Sequence, residues 1–158
     1  MKTKVIIILT ITLPVIFLDQ VSKLWIEQNL TIFQSIQIVQ NFFHITYIRN
    51  TGGAFGILSG LNSACFQKIF IFVALVAIGI IGLLYYKLRA GQYRPAIGIA
   101  LIIGGAIGNL IDRIRLGEVI DFIDLHFYSY HWPAFNVADS AITIGSFVLG
   151  ACILLKKW

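Results

Sequence analysis

Charge is the scarcest property of this sequence. Of 158 residues, 12% are charged and 58% are hydrophobic, and mean hydropathy is +0.87. A soluble domain carries about 25% charged residues. The polar residues here could not cover a water-facing surface, which excludes a soluble globular domain and predicts a membrane protein. Pro/Ser-rich linkers, low-complexity tracts, long charge runs and useful internal repeats are also lacking. Nothing marks a second domain, and one membrane-embedded unit over 1–158 is expected. The two cysteines, Cys65 and Cys152, fall near opposite ends of different apolar runs. They are not placed to pair and read as core fillers with no redox role. The three histidines, His44, His126 and His131, form no H-E-x-x-H pattern and no compact His/Asp set in sequence. No metal site and no cofactor is expected. Net charge is +5, which on a soluble protein could indicate nucleic acid. The basic residues instead cluster at the ends of apolar runs, where they orient a membrane protein, and nucleic acid is excluded as a partner.

Four apolar runs are present: Val5–Leu18, Ile69–Tyr86, Ala96–Gly108 and Ala141–Leu155. A full span needs about 20 residues, so several runs must borrow polar residues at one end. Spans over approximately 5–26, 67–87, 95–112 and 138–156 follow. The first run starts basic and continues apolar, as a secretory signal does. No small-x-small cleavage site follows, and the run continues into "LDQVSKLWI", so it reads as an uncleaved span. Four spans put both termini on one side. That side holds Lys2, Lys4, Lys87, Arg89, Arg94, Lys156 and Lys157, more than half of the 12 basic residues, which makes it cytoplasmic. All 7 acidic residues (Asp19, Glu27, Asp112, Glu118, Asp121, Asp124 and Asp139) fall at outer span ends or in outer segments. The working face is therefore expected outside. The outer segment over 31–60 begins β-branched and aromatic, with partial alternation around Phe43–Tyr47, and predicts a small sheet on the outer leaflet. The segment over 113–137 reads as an outer loop whose "HFYSYHW" aromatics suit the interface.

The short spans set depths. Lys4 to Asp19 and Arg94 to Asn109 are both fifteen residues, roughly 22 Å of helix, and Lys156 back to Asp139 is roughly 25 Å. A hydrocarbon core is about 30 Å thick, so Asp19, Asn109 and Asp139 are expected at one level just below the outer boundary. Ionisable residues at such depth usually face a bundle interior or wet cavity. Asp19 and Lys23 share a helix face at i,i+4. For chemistry, Ser140 has no base placed beside it, and Ser22 and Lys23 diverge on a helix. Carboxylates remain. Two aspartates in a poorly solvated site share a proton, and one can then activate water while the other serves as acid. The competing reading of Asp139 is an N-cap of the fourth helix. Residue patterns alone do not rank Asp121 over Asp124 as its partner, and Asp112 can pair with Arg113 or with another span. A small proton-coupled transporter, a lipid-binding membrane protein and a purely structural subunit are the alternative classes.

Five segments occur in order along the chain: "LDQVSK" (18–23), "RNTGGAF" (49–55), "GGAIGNLIDR" (104–113), "GEVIDFID" (117–124) and "FNVADS" (135–140). Together they resemble the lipoprotein signal peptidases, or signal peptidase II. The resemblance implies an integral membrane, mainly α fold. Its form is a four-transmembrane-helix bundle with a small extracytoplasmic β-sheet, the cradle, and a periplasmic helical or loop segment. It implies an intramembrane aspartic endopeptidase of the bacterial inner or cytoplasmic membrane, monomeric and without cofactor. Such an enzyme removes signal peptides from diacylglyceryl-modified prolipoproteins by cleaving before the lipid-modified cysteine, in contact with membrane lipids. Matched by motif, Asp121 and Asp139 are the implied catalytic pair. Asn50, Asn109, Arg113 and Asn136 are the implied substrate-binding residues, with Asp19, Lys23 and Asp112 in support. Only this resemblance separates Asp121 from Asp124. The sequence departs from the family at Gly53, where alanine is more usual, which bears on loop rigidity. Gly104, Gly105 and Gly108 suit close helix contact.

Overall fold

A computed structural model describes residues 2–52 and 64–155. Gly53, the expected outer segment beyond residue 52, Lys156 and Lys157, and the side chain of Cys65 lie outside the described residues. In chain order the elements are α1 (Lys2–Asn29), β1 (Ser35–Val39), β2 (Phe43–Asn50), α2 (Ala64–Lys87), α3 (Tyr93–Leu116), β3 (Val119–Phe127), β4 (Tyr130–His131) and α4 (Val137–Leu154). All four helices are long and apolar enough to cross a membrane.

The central helix is α3, and its glycines make that position possible. A Cβ on Gly104 would meet Val15 of α1 at 3.0 Å. One on Gly98 would lie 2.9 Å from the carbonyl oxygen of Gly145 in α4. One on Gly105 would collide with the carbonyl of Ala138 and sit 2.8 Å from Ile142. Small residues thus let three backbones approach, as van der Waals packing in lipid requires. Gly105→Ala is expected to cost about 1–3 kcal/mol by overpacking, read as a lower melting temperature in detergent. Gly82→Ala on α2, where open space surrounds the glycine, should be neutral or slightly stabilising. The opposite end of the bundle is tied by Lys4, whose Nζ donates to the carbonyls of Tyr86 (2.9 Å) and Leu88 (2.8 Å). The starts of α1 and α3 and the end of α2 therefore lie together. Large apolar side chains such as Phe17, Phe72 and Phe147 remain exposed along the outer helix faces.

The sheet has order β1-β2-β3-β4, with antiparallel pairing throughout. Tyr47, Ile120 and Phe122 pack on Ile26 and Leu30, so the sheet sits on the end of α1. The segment read as an outer loop is corrected here. Within 113–137, α3 continues to Leu116 and β3 and β4 supply half of the sheet's strands. The reason is burial: Val119, Ile120 and Phe122 find apolar cover that an interfacial loop would not give them. Among the described residues, no helix lies outside the four long ones.

Candidate active site

At the end of α3, Gly117 takes a left-handed conformation (φ 77°) and its N–H donates to the Arg113 carbonyl. Glycine adopts that conformation at little cost, and the chain turns directly into β3. Successive side chains on a strand point to opposite faces. Ile120 and Phe122 face α1, and Asp121 faces a cavity against α3 and α4. Asp124, three residues on, falls on the other face. It accepts from Nδ1 of His131 at 2.9 Å and lies 3.8 Å from Nδ1 of His44. Strand alternation is thus a physical reason for Asp121 rather than Asp124 to share a cavity with Asp139.

Asp139 arrives from the start of α4. The N-cap there is Asn136, whose side-chain oxygen accepts from the Asp139 N–H at 2.9 Å. Asp139 is the third helical residue and reaches back to the Asn136 N–H (3.3 Å), completing a capping box. The reading of Asp139 as the cap itself is therefore corrected: it supports the cap and keeps one oxygen for other work. That oxygen, Oδ1, accepts from Nδ2 of Asn109 at 2.8 Å. Asn136 is fully buried and also donates through Nδ2 to Asp121 (2.8 Å) and to Asn109 Oδ1 (3.2 Å). One residue consequently holds both carboxylates, Asp121 through its side-chain amide and Asp139 through its backbone N–H. Asn50 donates to the second oxygen of Asp121 at 3.0 Å.

Behind this layer lies a buried ion cluster. Lys23 Nζ sits 2.9 Å from Asp19 and 2.7 Å from Asp112, with all three side chains at 0% exposure. It also donates to Asn109 Oδ1 at 3.0 Å. Asp19 accepts from the Ala138 N–H (2.9 Å) at the start of α4. Asp112 pairs across spans, not with neighbouring Arg113. The expected common level of Asp19, Asn109 and Asp139 is thus one hydrogen-bonded layer linking α1, α3 and α4. Arg113 donates through Nη2 to the Gly52 carbonyl (2.7 Å) and lies 4.7 Å over the ring of Phe70. Its Nη1 is buried with no hydrogen-bond partner among the described residues.

The cavity encloses about 1050 Å³. Asn50, Asn109, Arg113, Asp121 and Asp139 line its polar end, and Ile144, Phe147, Ala151 and Leu154 continue it along α4 as an apolar groove. Asp121 is 4% exposed. Burial first, then the charge of Asp139, push its carboxyl up to about 7, against the opposing hydrogen bonds of Asn50 and Asn136. A carboxyl poised there can hold a proton near neutral pH and release it during a reaction.

The family model for signal peptidase (SPase) II matches residues 11–155. The chain belongs to the signal peptidase II family. It is 46% identical over 147 residues to a lipoprotein signal peptidase of Geobacter sulfurreducens, covering 93% of this chain and 91% of that protein. A lipoprotein signal peptidase of Staphylococcus carnosus is 41% identical over 151 residues, covering 96% and 92%. A bacterial membrane enzyme solved by the in meso method matches with a TM-score of 0.80 at 34% identity, over 99% of this chain and 89% of that one. With its four long apolar helices, the chain is a multi-pass membrane protein of a peptidase family.

Some contributors escaped the sequence reading. Gln20 donates to both Asp19 (3.1 Å) and Asp112 (3.1 Å), binding the two acids of the cluster together. It is adjacent to Asp19 inside "LDQVSK", and that adjacency was the available signal. Phe70 of α2 gave none. Ser22 and Ser140 are not poised as nucleophiles, since each Oγ donates to a backbone carbonyl of its own helix at 2.9 Å.

Proposed function

We propose that the chain is an aspartic endopeptidase that releases signal peptides from diacylglyceryl-modified prolipoproteins, cutting before the lipid-bearing cysteine. The observation that carries this reading is the hold of Asn136 on both Asp121 and Asp139, at the polar end of an apolar groove. The groove along α4 suits a signal helix or acyl chain entering from lipid. The family membership supplies the substrate class.

In this mechanism Asp121 carries the shared proton and Asp139 is the base. Asp139 takes a proton from water, whose oxygen bonds to the scissile carbonyl carbon. Asp121 donates a hydrogen bond to the carbonyl oxygen, and Nη1 of Arg113, unpaired among the described residues, offers a second donor. As the C–N bond breaks, the amine leaves with a proton from the pair. Asn50 and Asn136 keep the Asp121 oxygens aimed. The family membership supports a place in the bacterial cytoplasmic membrane, and the distribution of basic residues supports cytoplasmic termini and an outward-facing site. The apolar side chains exposed on and beside β1, including Ile36, Ile38 and Phe42, then rest on the outer leaflet.

The test is incubation of the purified chain in detergent with a diacylglyceryl-modified precursor, with mass spectrometry for the released signal peptide and an unmodified precursor as control. Absence of product from the modified precursor would overturn the reading. A pH dependence follows. The productive pair holds one proton, on Asp121. As pH rises through about 7, that proton is lost and with it the acid. The rate constant kcat/KM should fall about tenfold per pH unit on that limb. Initial rates between about pH 5 and about pH 9 check this, and a flat profile would contradict the assignment of the proton.

A further inference from the structure

All three histidines of the chain converge on one face of the sheet, although the sequence scatters them. The register explains how. Asp124 and His126 stand at i,i+2 on β3 and share a face. His44 is the cross-strand partner of Asp124 on β2, and His131 is the partner of His126 on β4. The rings of His44 and His126 lie 4.2 Å apart, and those of His126 and His131 stack at 4.6 Å. One ligating atom each from His44, Asp124 and His126 fall within 4.8 Å of one another. His126 is 7% exposed, and its Nδ1 is buried without a hydrogen-bond partner among the described residues. A buried imidazole nitrogen with no partner is costly, and a cation would use its lone pair.

We propose that His44, Asp124 and His126 form a zinc(II) site on the outer sheet, separate from the Asp121/Asp139 pair. Two imidazoles and a carboxylate are a donor set that zinc favours. Zinc bonds of about 2.0–2.1 Å place tetrahedral ligands roughly 3.3 Å apart, so small side-chain rotations close the set. His131 completes the arrangement from behind. Its Nδ1 lies 2.9 and 3.0 Å from the two Asp124 oxygens, the position of an outer partner that orients a ligating carboxylate. Solvent reaches the site past His44, whose side chain is 25% exposed, and supplies the fourth ligand. The bound ion clips β2 to β3, and the bonding of His131 to Asp124 adds the β4 turn.

The test uses the untagged full chain in detergent, titrated with zinc chloride by calorimetry and assayed for metal content after dialysis. One zinc per chain is expected, with a raised melting temperature. His126→Gln and His44→Gln should each weaken binding roughly tenfold or more and abolish the thermal shift. Asp139→Asn should retain the zinc. His44 is partly exposed, so its variant stays informative if His126→Gln fails to fold. Failure to retain zinc, binding unchanged in His44→Gln, or zinc lost with Asp139→Asn would each overturn the proposal.

Discussion

Asp139→Asn is expected to stop signal-peptide release while the chain stays folded: on a diacylglyceryl-modified precursor the rate should fall by about 10³-fold or more, within the range that acid–base groups supply. Asparagine matches aspartate in shape and keeps a carbonyl oxygen to accept the Asn136 N–H, so the capping box largely survives. The lost contact is acceptance from Asn109, worth about 1 kcal/mol. In the proposed mechanism the variant cannot take a proton from water, and that is the basis of the expected rate effect. Asp139→Ala would be a poorer experiment, because it removes cap and base together. Ser22→Ala is the companion variant. Its hydroxyl donates to the Asp19 carbonyl within its own helix, and its loss should leave the rate within about twofold. A Ser/Lys hydrolase predicts the reverse pattern, with Ser22→Ala inactive and Asp139→Asn active. Rates and melting temperatures measured on the same preparations separate the two.

What the sequence disclosed about this site depended on which forces act locally. Span depth follows from counting residues between a basic anchor and a polar residue, so the layer of Asp19, Asn109 and Asp139 was legible. The cap of α4 was legible in part: "NVAD" carries a capping-box spacing, but an aspartate is itself a favoured N-cap, so the pattern did not separate Asn136 from Asp139. The choice of Asp121 needed strand alternation, and alternation is useful only once the segment is known to be a strand. "VIDFIDLHF" conceals that, because both of its faces carry apolar residues and its two aspartates are three apart. Register was further hidden by the irregularity between Ile45 and Ile48 of β2. It decides that His44 meets Asp124, and no local pattern encodes it. The segment "HFYSYH" did hold a hint: a two-residue turn at Tyr128–Ser129 pairs Phe127 with Tyr130 and then His126 with His131. Motif resemblance supplied Asp121 where this physics was out of reach.

The second large effect is expected at Lys23→Met. Methionine keeps most of the lysine stem's apolar volume but removes the ammonium that neutralises Asp19 and Asp112. Both carboxylates are fully buried, and breaking a buried ion pair from one side costs about 3–5 kcal/mol because the remaining charge is uncompensated. For a chain of this size that lowers the melting temperature by on the order of 10 °C, measurable in detergent. Cleavage falls as well, since Lys23 also donates to the Asn109 oxygen, and Asn109 holds Asp139. The cause can be isolated by adding Asp19→Asn and Asp112→Asn to Lys23→Met. The triple variant removes the orphaned charges. It retains carbonyl acceptors for the N–H groups of Ala138 and Ile120, which bond Asp19 and Asp112 at 2.9 and 3.4 Å. Recovery of most of the lost stability would assign the cost to uncompensated charge. A triple variant as unstable as Lys23→Met would instead place the cost in packing around the lysine stem, and the cluster's electrostatic role would fall.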